Sequence, residues 1–134
     1  MKYVFAFVFL MGISKYAFSQ EVISIDLVKV KKERVGDALF FFENGWKVLR
    51  DSAFRAGAIS GYQLLKVEND TSGIAIVLMT RYRDKQQFDR REAFFQPLIK
   101  TLFANRTLFQ NGFRREDMKI ERSVIGATEH ASPN

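Results

Sequence analysis

The chain has 134 residues, with 21 Lys and Arg against 15 Asp and Glu, no cysteine and a single histidine. This length fits one globular domain. Without cysteine the chain forms no disulfide, thiolate metal site or iron–sulfur centre, and one histidine excludes a centre built from several histidines. We therefore expect neither a metal site nor a cofactor.

The N-terminus has the pattern of a secretory signal peptide. Lys2 precedes an apolar stretch over 3–13, and Ala17-Phe18-Ser19 places small residues where a signal peptidase requires them. The stretch is well short of the roughly 20 apolar residues that span a bilayer. We predict a cleaved signal peptide over 1–19, a single exported domain over 20–134 and no stable membrane insertion. Export without cysteine favours a bacterial envelope or periplasm, because small secreted domains elsewhere are usually rich in disulfides.

The first half of the mature chain predicts a strand, a long helix and a second strand. Residues 22–30 alternate between apolar and polar side chains, which is typical of a strand. Apolar residues then recur at three- and four-residue steps from Val35 to Ala53, so that one helix stripe containing Trp46 faces a core. Gly57 is the expected helix stop. Residues 59–67 alternate again.

The second half predicts a hairpin, a helix and a last strand. The turn cluster 69–73 leads into 74–82, which is apolar on both faces and therefore fits a central strand. Asp84 and Gln87 resemble a capping box at the start of the second helix. Pro97 is expected to introduce a kink or a fresh turn in that helix. A polar loop over 105–117 precedes the fourth strand, 118–125.

The order strand, helix, strand, strand, helix, strand predicts a ferredoxin-like α+β sandwich, in which two helices cover one face of a four-stranded antiparallel sheet. Apolar residues occur on both sides of the predicted strands, among them Val22, Val28 and Val30 in the first and Ala75, Val77 and Met79 in the third. Two helices hide only one face. We therefore predict a homodimer in which a second subunit covers the other.

Residues 22–125 resemble the dimeric α/β-barrel superfamily in element order, in the long first helix with Trp46 and in the hairpin over 59–82. That superfamily includes antibiotic-biosynthesis monooxygenases and the stress-responsive and NIPSNAP-type small domains. The resemblance implies that two sheets close face to face into a barrel whose interior holds an apolar ligand. Its haem-degrading members line the cavity with an Asn, a Trp and a His. Here Asn44 lies on the helix face opposite Trp46 and His130 lies in the tail, so those roles are not carried over.

Five polar strand residues are candidates for ligand binding. Asp26, Arg81 and Arg122 lie in strands of a sheet covered on both faces, and an inward Asp–Arg pair would orient an anionic or carbonyl-bearing ligand. A structural ion pair, or charges that reach solvent, is the alternative. A general base needs a raised pKa, which a neighbouring Arg opposes, so we assign Asp26 to binding. Tyr62 and Tyr82 either hydrogen-bond one end of the ligand or are ordinary strand residues.

Two further groups of residues concern surfaces. Phe40, Phe41 and Val48 fall off the core stripe, which makes them candidates for a dimer or partner surface or simply partly exposed residues. The C-terminal half is rich in arginine: Arg81, Arg83, Arg90, Arg91, Arg106, Arg114 and Arg115. Acidic residues are interleaved with these, and the domain is exported and only mildly basic. We therefore expect a solvated face and no nucleic-acid binding.

Three hypotheses for function remain open at this point. The first is a non-catalytic homodimer that binds a small, largely apolar molecule in its cavity. The second is an enzyme like the cofactor-independent monooxygenases, which acts on an apolar or aromatic substrate. The third is an envelope interaction module that docks another protein on Phe40 and Phe41.

Overall fold

The computed structural model describes residues 20–68 and 70–127. The predicted signal peptide, 1–19, and the tail with His130 lie outside the described residues. The boundary at residue 19 therefore stays a prediction.

In the described part of the chain, four strands and two helical regions alternate in the predicted order. The elements are β1 Glu21–Val30, α1 Val35–Phe41, a π-helical turn Phe42–Trp46, α2 Lys47–Arg55, β2 Gly61–Lys66, β3 Ile74–Tyr82, α3 Lys85–Asp89, α4 Arg91–Phe103 and β4 Met118–Ala127. The strands form one antiparallel sheet in the order β2-β3-β1-β4, with the helices on one side. The predicted ferredoxin-like α+β fold is confirmed.

The long first helix comprises α1, the π turn and α2 without interruption. It ends where the sequence predicts. Gly57 adopts φ +70°, its N–H donates to the Phe54 carbonyl at 3.0 Å, and the Ala58 N–H donates to the Ala53 carbonyl at 2.9 Å. This pair of bonds satisfies the last carbonyls of the helix, and it needs a residue that tolerates the left-handed conformation.

The second helical region begins at the predicted cap but breaks at a different place. The Asp84 carboxylate accepts the Gln87 N–H at 2.7 Å, and the Gln87 side chain accepts the Arg83 N–H at 2.7 Å. The expected fresh turn at Pro97 is wrong, because α4 runs through Pro97 and the break lies at Arg90. Pro97 is exposed, so water can hydrogen-bond the carbonyl that loses its helical partner.

The core lies between the helices and the sheet in two adjoining clusters. The first cluster consists of Val28, Ala38, Phe42, Ala75, Ile76, Leu78, Phe113 and Met118. The second consists of Leu49, Ala53, Ile59, Tyr82 and Phe95. No helix among the described residues is long and apolar enough to cross a membrane.

The sheet face away from the helices is also apolar. Val28 packs against α1, so the residues of β1 that alternate with it point to the other face, and register places Val77 and Met79 beside them. We call this surface the open face; its apolar members are Ile23, Ile25, Leu27, Leu65, Val77, Met79 and Ile125. Leu65 and Ile125, on the two edge strands, are 48% and 46% exposed. Apolar residues on both sides of the strands are therefore confirmed.

The apolar strand residues named above divide between the two faces: Val77 and Met79 lie on the open face, and the other four point toward the helices. Val28 and Val30 pack in the first core cluster and Val22 against the second. The register of β1 and β3 shifts between Val28 and Lys29, and Ala75 lies buried in the first cluster. On β1 the apolar surplus of the open face therefore comes from Ile23, Ile25 and Leu27, and on β3 it comes from Val77 and Met79 as named above.

Candidate functional site

The layer between sheet and helices contains charged side chains as well as apolar ones. Asp26 of β1 and Arg122 of β4 are directly opposite each other in the ladder. Arg122 donates through Nε to Asp26 Oδ1 at 2.6 Å and through Nη2 to Oδ2 at 3.0 Å. The Asp26 side chain is 8% exposed and that of Arg122 is 62% exposed. The two-pronged bond therefore holds the guanidinium at the edge of the layer in a fixed orientation.

A second arginine lies deeper, between the helices. Arg50 of α2 places its guanidinium carbon 4.8 Å from the ring centre of Trp46 and 4.3 Å from that of Phe95 on α4. Its Nε donates to Thr80 Oγ1 on β3 at 3.0 Å. Burial lowers the pKa of Arg50, an effect that the charges of Tyr82 and Asp26 oppose. Two aromatic faces and one hydroxyl thus position this cation.

Tyr82 completes the cluster from the end of β3. The residue is 2% exposed, and its ring meets Phe88 edge-on with ring centres 5.2 Å apart. Burial raises the pKa of Tyr82, while the charges of Arg50, Arg91 and Arg122 lower it. We call Asp26, Arg50, Arg122, Trp46 and Tyr82 the polar layer site.

The structure brings together some of the sequence-predicted candidates and separates others. Of the two arginines, Arg81 does not join Asp26: register aligns Asp26 with Leu78, and Arg81 lies on the open face with its Nη1 3.9 Å from Glu21 Oε2. Asp26 pairs with Arg122 instead. The sequence could not distinguish these partners, because both arginines alternate correctly within their own strands.

Tyr62 does not reach the polar layer site through its hydroxyl. That hydroxyl donates to Asp51 of α2, a bond that raises the pKa of Tyr62 and lowers that of Asp51. Its ring meets Trp46 edge-on at 5.9 Å. Tyr62 therefore supports the Trp46 ring from the side of β2.

The three residues expected to form a partner surface differ in their surroundings. Phe41 stacks on Phe109 at 4.8 Å and meets Phe42 edge-on at 5.0 Å, so a loop of this chain packs against it. That loop is anchored by Asp37, whose carboxylate accepts the Asn111 side chain at 2.8 Å. Phe40 and Val48 are half-buried. Whether Phe40, Phe41 and Val48 contact a partner stays a prediction.

Sequence reasoning missed Arg50, although its position carries a signal. It lies four residues after Trp46 and three before Ala53, at the margin of the apolar stripe. A charged residue at the edge of a core stripe needs a partner inside the fold. Its aromatic partner on α4 and its hydroxyl partner on β3 become neighbours only in the folded chain.

Other depressions and clusters add little to this site. A groove of about 600 Å³ lies between α1 and the β2–β3 hairpin, lined by Val35, Leu39, Lys66 and Ile74 among others. A smaller depression of about 200 Å³ lies beside α3, lined in part by Asp84, Arg90 and Phe94. Within residues 20–68 and 70–127, no three His, Asp or Glu side chains come together as a metal site.

Solved structures share this fold at low sequence identity. A dimeric ferredoxin-like protein from an uncultured marine organism matches with a TM-score of 0.57 and 12% identity, over 84% of this chain and 100% of that one. A variant of SnoaB, a cofactor-independent oxygenase from Streptomyces nogalater, matches with a TM-score of 0.52 and 18% identity, over 82% and 95%. A NIPSNAP-like domain protein from Burkholderia xenovorans gives 0.50 and 11%, over 84% and 90%.

These likenesses confirm the expected resemblance at the level of the fold. No protein-family model matches the sequence, and no curated protein matches it significantly. Because one fold serves many activities, the function has to be argued from the site.

Proposed function

We propose that this protein is exported and works as a homodimer that binds a small, largely apolar molecule. The observation that carries the proposal is the polar layer site, where two arginines and an aspartate lie among aromatic rings in a layer that packing alone would fill with apolar residues. Titratable groups perturbed by burial and by charged neighbours cluster at functional sites.

A second copy of the chain is the occupant that suits the open face. Seven apolar side chains lie there side by side, and the ion pairs Glu21–Arg81 and Lys29–Glu121 flank them. An apolar centre with a charged margin is the composition of a homodimer interface. A solved neighbour of this fold is itself described as dimeric.

Ligand binding and dimerisation use opposite faces of the sheet. Of the five predicted ligand-binding residues only Arg81 lies on the open face, whereas Asp26, Tyr62, Tyr82 and Arg122 point toward the helices. The ligand site therefore belongs in the layer between helices and sheet, and the open face serves dimerisation. This differs from a ligand enclosed between two sheets.

Native mass spectrometry of the processed protein from its original host tests the proposal. We expect a polypeptide that begins at Gln20, a dimer mass, and an additional small molecule retained by the dimer. A bare monomer contradicts both parts of the proposal. A bare dimer contradicts ligand binding and favours the interaction module.

The alternative is a cofactor-independent oxygenase, and the Trp46 indole is the observation that favours it. Its N–H is buried without a hydrogen-bond partner, beside the Arg50 guanidinium. Such a donor is available to a substrate oxygen. Oxygen uptake with an electron-rich phenol, abolished by Trp46→Phe but not by Arg81→Gln, would establish this activity.

A further inference from the structure

The polar layer site has more hydrogen-bond donors than acceptors. Arginine carries five N–H groups, and Arg50 uses one of them on Thr80. No carboxylate among the described residues lies within ion-pair distance of Arg50. The faces of Trp46 and Phe95 stabilise the cation, but ring faces accept no hydrogen bond from its in-plane edge.

The neighbours of Arg50 increase this surplus. The indole N–H of Trp46 is buried without a partner. Arg122 gives Nε and one Nη2 hydrogen to Asp26, which leaves Nη1 directed away from that carboxylate. Each Asp26 oxygen already accepts one bond from Arg122. Several donors that lie together with few protein acceptors favour an anion, because charge-assisted hydrogen bonds are the strong ones.

The charges around the site define how much negative charge it accommodates. The charge of Arg122 lowers the pKa of Arg50, and those of Asp26 and Glu92 raise it, so these groups lie within electrostatic reach of one another. Glu92 is offset by Arg91, 3.7 Å away. With Asp26 set against one of the two remaining arginines, a single positive charge is left. One negative charge on the ligand balances it.

Apolar surface adjoins these donors. Val124 follows Arg122 on the same side of β4 and is 48% exposed. Phe88 and Phe95 approach from the second helical region. A molecule whose charged end meets the arginines therefore has an apolar surface for its body.

We propose that the polar layer site binds a monoanionic carboxylate with an apolar body, held by Arg122 at the exposed edge of the layer and by Arg50 within. This inference rests on the proposed function, which it deepens by naming the ligand class. Arg122 supplies guanidinium N–H groups that are already oriented by Asp26. Arg50 supplies a positive charge that no carboxylate of the site pairs with. Asp26 is a positioning residue, because it acts through Arg122.

Trp46 provides the readout for the test, since it is the only tryptophan in the chain. The mature protein is titrated with benzoate and with 2-naphthoate, and in parallel with their uncharged methyl esters, while quenching of Trp46 fluorescence is followed. We expect the acids to bind at least about tenfold more tightly than the esters. Binding of the acids should weaken as salt is raised.

Two variants separate recognition of charge from unspecific attraction. Arg122→Gln should weaken acid binding about tenfold or more and leave ester binding unchanged. Arg115→Gln removes the same charge at an exposed position before β4 and should bind like the unaltered protein. Arg122→Gln also removes the charged partner of the buried Asp26, so circular dichroism verifies that the variant folds, and unchanged ester binding shows that the site is intact.

Each other outcome overturns the inference. If acids and esters bind equally, or if both variants behave alike, the site does not select a carboxylate, while small-molecule binding stands. If neither acids nor esters bind up to millimolar concentration, the carboxylate class is wrong. The retained molecule in native mass spectrometry then decides the proposed function separately.

Discussion

At the scale of single residues, Asp26 contributes both to the stability of the fold and to the geometry of the polar layer site. It is a carboxylate buried in the helix–sheet layer, and both of its oxygens accept from Arg122. A charged group in such a place is stable only with its partner present. Arg122 in turn is oriented by this bond and is otherwise free at its outer edge.

We expect Asp26→Asn to lower the free energy of unfolding by about 1–3 kcal/mol, because a charge-assisted bond in a buried layer is lost. Urea denaturation of the two proteins measures the difference. Glu121→Gln is the matched control, since Glu121 pairs with Lys29 and Lys119 on the surface of the same sheet. Its effect should be much smaller. Equal effects of both changes would contradict the role assigned to Asp26.

At the scale of elements, the long helix combines a π turn, a buried glycine and a glycine stop. A methyl group at Gly45 would lie 3.6 Å from Leu108, which is ordinary contact, while Gly57 requires a positive φ. Alanine favours helix over glycine but disfavours the left-handed conformation. Substitution by alanine should therefore raise the free energy of unfolding at Gly45 and lower it at Gly57.

Gly45→Ala should stabilise the protein by about 0.5–1 kcal/mol. Gly57→Ala should destabilise it by about 1 kcal/mol, because alanine is strained at the positive φ with which the helix ends. Thermal unfolding followed by circular dichroism gives both values. A loss of stability in Gly45→Ala would mean that the π turn itself depends on glycine.

The cap of the second helical region is expected to be sensitive to pH. The backbone N–H of Gln87 lowers the pKa of Asp84 below its ordinary value of 3.8. The unfolded chain therefore binds the proton more readily, so the cap stabilises the fold above that ordinary pKa and is lost as pH falls through the folded one. Asn also caps helices but does not titrate. Below pH 4, the unfolding temperature of Asp84→Asn should fall less steeply than that of the unaltered protein.

At the scale of the whole molecule, the open face requires a cover. Its apolar residues come from all four strands, and they form one continuous surface only when the strands pair in the order β2-β3-β1-β4. An apolar surface of this extent is typical of an interface. In the proposed dimer, the association of two copies buries Ile25, which lies near the centre of the open face.

Ile25→Lys should convert a dimer into a folded monomer, because a charge in the middle of an apolar interface is left without a partner. Light scattering after size-exclusion chromatography measures the mass, and circular dichroism verifies folding. Ile99→Lys on α4 is the control: Ile99 is 39% exposed on the opposite side of the domain, and the dimer should persist. An unaltered protein that is monomeric at all concentrations contradicts the interface.

Local patterns alone determined much of this protein. The bounds of β3 agree with the prediction at both ends, the Asp84 cap and the Gly57 stop lie where expected, and the order of elements predicted the fold. Strand alternation, capping and glycine stops depend on residues a few positions apart, so each is visible in the sequence.

Only the tertiary structure decided which side chains meet. Asp26 and Arg122 are 96 positions apart and become neighbours through the register of β1 and β4, and Arg50 finds its ring on α4 and its hydroxyl on β3. A shift of one residue in register would turn every one of these strand side chains to the other face. The alternation within one strand shows only that the strand has two faces. The packing of the helices decides that one face contributes to the polar layer site and that the other is the open face.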